Sequence, residues 1–162
     1  MFYINTLYED EILSCIKEEK KIIVEIERIG NKQIQKAKHE IIIALVIKST
    51  NYLEFYFDDI ILEFAKSKSS VIFHSYFQNN FKKNGRNVSP DRVNSLLKNI
   101  GVDPIKRNKH VKEYTSLESL YNIRNNIAHE ECNVQDTFEQ IVEYITYSLK
   151  FMKILIEKLN KL

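Results

Sequence analysis

The sequence predicts an all-α fold, a bundle of four to five helices. Three observations carry that expectation. Residues that break helices are scarce, with 3 Gly and 2 Pro in 162 residues. Apolar side chains recur at helical spacing through most of the chain. Helix-capping patterns also stand where the periodic stretches begin. The length suits a single domain over residues 1–162 with one core, and no repeat or low-complexity tract divides it.

The elements follow in order. Thr6-Leu7-Tyr8-Glu9 has the form of a capping box, which starts a helix near Leu7. Ile12, Cys15, Ile16, Ile22, Ile23 and Ile26 continue it at helical spacing, and Gly30-Asn31 is a suitable stop. A longer helix is expected from about Lys32 to Phe64, with Ile34, Ala37, Ile41, Leu45, Tyr52, Phe55, Tyr56, Ile60 and Phe64 in its stripe. Neighbouring positions are apolar too, so this helix is either central or shared with a partner subunit. Val71 to Phe77 is ambiguous between helix and strand, and residues 78–88 read as a loop. Ser89-Pro90-Asp91 is a strong helix start, with Ser as cap, Pro in the first turn and Asp at the positive end of the dipole. Gly101 closes that helix, and residues 102–114 form a basic connector. Thr115 to Glu118 offers a second capping box for a helix that includes Leu117, Leu120, Tyr121, Ile127 and Ala128. After a turn at Glu130 to Asn133, with Asn133 as a possible cap, the last helix is expected from about Val134 to Leu159.

Charge is distributed unevenly. The formal net charge is +2, yet residues 80–113 hold nine basic side chains against three acidic ones. Such a lobe attracts polyphosphate, and Lys82, Lys83, Arg86, Lys106, Arg107 and Lys109 are its candidate RNA-binding residues. The competing reading is a solvated, Lys-rich loop. Tyr76, Phe77, Phe81 and Tyr114 are candidates for stacking on bases. The two cysteines, Cys15 and Cys132, fit no metal or redox spacing and read as reduced thiols. With no signal-peptide pattern and no apolar run of membrane-spanning length, a cytoplasmic location is expected.

Most chemical signatures are absent: there is no phosphate-binding Gly-rich loop, no HExxH and no paired CxxC. His129-Glu130-Glu131-Cys132 contains ligand types, but contiguous residues converge poorly on one ion, so no metal site and no cofactor are expected. What remains is Arg124, Asn125 and His129. A histidine titrating near neutrality can move protons at a ribose 2′-hydroxyl or a leaving 5′-oxygen. An arginine can stabilise the charge of a phosphorane-like transition state. The asparagine can orient the imidazole or bind a phosphate oxygen. On an ideal helix, however, positions 124 and 129 lie about 140° apart, so convergence needs a helix end, a curled arginine or a second subunit. On spacing alone, an ion-paired arginine and a C-capping histidine are the simpler reading.

The segment Leu120-Tyr121-Asn122-Ile123-Arg124-Asn125-Asn126-Ile127-Ala128-His129 resembles the signature of HEPN domains: Arg, a polar residue, and a His a few positions on. In outline the chain is similar to the RiboL-PSP-associated bacterial branch, where two long helices precede a connector, a short helix, the Arg–His helix and a closing helix. The resemblance implies an α-helical homodimer whose two motifs face each other, and a metal-independent endoribonuclease leaving 2′,3′-cyclic phosphate and 5′-hydroxyl ends. Toxins and anti-phage defence effectors occur in the family, with an antitoxin, nucleotidyltransferase or ATPase as possible partner. It also implies a polar or acidic residue on an early helix near the site. Glu54 is the best positional match, the other reading being a surface carboxylate. The alternative function is a non-catalytic HEPN-like module that binds RNA, a nucleotide or a protein.

Overall fold

The computed structural model describes residues 6–29, 33–68, 88–129 and 134–161. Five α-helices and one short 3-10 turn make up its regular structure, and no strand occurs among the described residues. The helices are α1 (Leu7–Ile29), α2 (Gln33–Ser67), α3 (Pro90–Asn99), α4 (Val111–Ala128) and α5 (Phe138–Leu159). α1 packs along α2, and α4 along α5; α2 then lies against both members of the second pair, and α3 leans on α4.

α2 joins the two pairs, which explains its unusual pattern. Its 35 residues span about 52 Å at 1.5 Å per residue. Leu45, Val46, Leu53, Tyr56, Phe57, Ile60, Ile61, Phe64 and Ala65 are all buried. A stripe that wide has to touch more than one neighbour. Two expected inward residues turn out otherwise: Phe55 on α2 and Ile22 on α1 are 40% and 44% exposed. In each case the adjoining Tyr56 or Ile23 fills the core. Pairing between elements is polar as well. Lys48 reaches buried Glu19 at 2.9 Å, Lys38 pairs with Glu27, and Lys153 meets Glu9 at 2.6 Å, tying α5 to α1.

α3 begins as its sequence predicts. Ser89 accepts a hydrogen bond from the Arg92 amide at 3.3 Å, with Pro90 in the first turn. At its other end Gly101 takes φ of 76°, a conformation in which a side chain would be strained. The Val102 amide donates to Leu97 O at 2.8 Å and the Gly101 amide to Lys98 O at 3.0 Å, which together form a Schellman stop. The connector that follows is well anchored. Val102 and Ile105 are buried, and the Asn94 side chain both donates to Ile105 O and accepts from the Ile105 amide, at 3.1 and 2.7 Å.

Two expected boundaries move. α4 begins at Val111, not at the Thr115 box, and the Thr115 hydroxyl instead donates to Val111 O at 2.8 Å from inside the helix. The earlier start is favoured by Tyr114, which is buried, stands edge-on to Phe151 and donates its hydroxyl to Asp91 at 2.7 Å. Tyr114 is therefore a core residue and does not offer a face for base stacking. α5 begins at Phe138, not Val134, because Thr137 and Gln140 form a reciprocal capping box with bonds of 2.8 and 3.2 Å. Val71 to Phe77, Phe81, Asn133 and the other expectations within 69–87 and 130–133 lie outside the described residues.

Candidate active site at the end of α4

α4 ends within the Arg–His segment. Ala128 is its last residue and His129 is the C-cap, with φ of −96° and ψ of 19°. The His129 amide still donates to Asn125 O and Asn126 O, at 3.1 and 3.2 Å. Its side chain leaves the helix at an exposed position, whereas Arg124 and Asn125, one turn earlier, are half-buried. The chain is still helical from Arg124 to Ala128, so within one copy positions 124 and 129 keep close to their helical separation. Within the chain Asn125 is directed to the arginine: Arg124 Nη1 lies 3.5 Å from Asn125 Oδ1, a long contact.

Beneath the arginine lies a buried polar cluster. Glu54, on α2, is only 6% exposed, so it is not a surface carboxylate. Tyr121, one turn before Arg124 on α4, is 2% exposed, and its hydroxyl donates to Thr50 O at 3.4 Å, one turn before Glu54 on α2. Burial pushes the Tyr121 phenol well above its ordinary pKa, and the Glu54 carboxylate pushes it the same way. The backbone of Val88 and the guanidinium groups of Arg124 and Arg92 act in the opposite direction. The Tyr121 hydroxyl is therefore the point at which charges from α2, α3 and α4 meet. Arg92 is one of the nine basic side chains of residues 80–113. Its position in the first turn of the Ser-Pro helix, which packs on α4, is what brings it here.

The basic residues are arranged differently. Lys106, Arg107 and Lys109 are exposed at the other end of α4, about 27 Å from its C-terminal end for 18 residues. Arg107 is engaged already, with Glu118 at 3.1 Å and over the Tyr114 ring at 5.4 Å. Lys82, Lys83 and Arg86 lie outside the described residues. Among the described residues no group of three or more His, Cys, Asp or Glu side chains gathers as a metal site, and no helix is long and apolar enough to cross a membrane. Cys15 is a free thiol whose pKa is pushed up by burial, and Cys132 falls outside the described part.

Comparison with known proteins gives one match. The family model for RiboL-PSP-HEPN covers residues 3–161. No curated protein and no solved structure matched the chain.

Proposed function

Because the chain belongs to the RiboL-PSP-HEPN family, we propose that it is a metal-independent endoribonuclease whose active site is built by Arg124, Asn125 and His129 of two copies. The observation that carries this reading is the end of α4 itself, where an exposed histidine caps the helix little more than one turn after a half-buried arginine. One His129 takes the proton from the ribose 2′-hydroxyl, and the freed oxygen attacks phosphorus. The P–O5′ bond breaks, the 5′-oxygen receives a proton from the partner's His129, and the products are a 2′,3′-cyclic phosphate and a 5′-hydroxyl. Arg124 offsets the charge that builds on the non-bridging oxygens. Proton transfer of this kind contributes roughly 10²–10⁴-fold, and a positioned donor at developing charge about 10²–10³-fold.

Glu54 and Tyr121 act in this scheme as positioning residues below Arg124, and Asn125 steadies its guanidinium from the side. A role as toxin or anti-phage effector, restrained by an antitoxin or acting with a nucleotidyltransferase or ATPase, fits an RNase of this family. The test is incubation of the wild type, Arg124→Ala and His129→Ala with total cellular RNA in the presence of chelator, followed by end-group analysis. Wild type should yield cyclic-phosphate and 5′-hydroxyl ends. Each variant should lose at least about 10²-fold in rate while keeping its helical circular dichroism. Cleavage that survives both substitutions, or that chelator stops, would overturn the proposal. Wild type that binds RNA without cutting it would favour the non-catalytic binding module.

A further inference from the structure

A second charged feature lies at the opposite end of α4. The connector after Gly101, the residues leading into α4 and the last turns of α5 enclose a cleft of about 640 Å³. Lys106 and Lys109 reach it from the connector side, and Lys158 and Lys161 from α5. Two carboxylates, Asp103 and Glu157, line the cleft beside these four ammonium groups, as does His110. The net excess is positive, so the cleft selects an anion. Val102, Pro104 and Ile154 supply its apolar floor.

Its walls are held in place. The Gly101 turn and the Asn94 clasp on Ile105 anchor the first half of the connector. Lys158 Nζ donates to Asp103 O at 3.0 Å, which ties the connector to α5 and leaves two of the three ammonium protons for another acceptor. No Phe, Tyr or Trp ring lines the cleft among the described residues. It is therefore equipped to hold phosphates in series and not to stack bases. Lys106 and Lys109 also continue the stretch in which basic side chains outnumber acidic ones by nine to three.

We propose that this cleft is a remote anchor for the phosphodiester backbone of RNA. It rests on the ribonuclease reading only for the location of the scissile bond. The two Arg–His motifs meet in the composite site, so the span from each cleft to that site is set by its own α4, about 27 Å for 18 residues. A strand stacked at about 3.4 Å per nucleotide covers that span in about eight nucleotides, and an extended strand in fewer. Substrates that extend this far past the cut gain the anchor, and shorter ones do not.

The test is the pair of charge reversals Lys109→Glu and Lys161→Glu, both at exposed positions remote from His129. The probe is a non-cleavable 2′-O-methyl 24-mer of single-stranded RNA. Its affinity should fall roughly tenfold or more at 0.1 M salt, and the magnitude of its salt slope by about 1.4, the value for two phosphate contacts on a single strand. Unchanged affinity and slope would overturn the proposal, and this arm reports whether or not the protein cleaves RNA. Where cleavage is measured, KM should rise for substrates with long flanks while kcat holds, and a dinucleotide substrate should be unaffected. An equal loss on long and short substrates would overturn the remote placement.

Discussion

At the scale of single residues, the Tyr121 hydroxyl reports on the candidate site. It is buried between α2 and α4, donates to Thr50 O, and senses Glu54, Arg124 and Arg92. Its pKa is raised, first by burial and then by Glu54, above the ordinary 10.0. The native state therefore keeps this proton at pH values where the unfolded chain has lost it. The contribution to stability is complete below about pH 10 and is lost as pH rises beyond that. Melting temperatures followed from pH 8 to 11 should fall steeply for wild type and less steeply for Tyr121→Phe. A residual slope should remain, because Tyr56, Tyr114 and Tyr144 are also shifted upward. Identical slopes would show that the phenol is not held as described. Little of this was legible in the sequence. Glu54 could be picked only by position, since a carboxylate flanked by Leu53 and Phe55 gives no local sign of burial. Its burial follows from α2 touching α4 as well as α1, a property of packing between distant segments.

Single helices were legible where side chains bond to their own backbone. Ser89-Pro90-Asp91 gave the start of α3 and Gly101 its end, because each acts within one turn. Where two local signals competed, tertiary contacts decided. Thr115 has the form of a cap yet sits inside α4, because starting at Val111 lets Tyr114 reach both Phe151 and Asp91. At α5 the reading stopped at Asn133 and passed over Thr137-Phe138-Glu139-Gln140, whose box closes in both directions. That box fixes where the chain re-enters the bundle after His129. Thr137→Ala removes the side-chain acceptor for the Gln140 amide and should cost about 1 kcal/mol, read as a lower midpoint in urea with an unchanged m-value. The change should leave RNA cleavage near wild type. A loss of cleavage larger than the loss of stability would mean that the α4–α5 turn shapes the site directly.

At the scale of the whole molecule, the geometry of α4 bears on how many copies an active enzyme needs. One chain offers one His129 and one Arg124, whereas in-line displacement calls for one group to accept a proton and another to give one. Ile47 and Phe55 on α2 remain 40% exposed, in keeping with the apolar pattern that sequence reading assigned either to a central helix or to a partner. α2 proves central, yet part of its surface stays apolar, so one pattern served both readings and could not separate them. Mixing separates them through function. Wild-type chains mixed with an excess of His129→Ala chains should form dimers that carry a single histidine at the shared site. Such dimers lack either the base or the acid and should not cleave. Activity should therefore fall well below the wild-type share of the chains. Activity should also decline on dilution as dimers dissociate. Activity in simple proportion to the wild-type chains at every mixing ratio, with exchange of labelled chains demonstrated, would place the complete site within one chain.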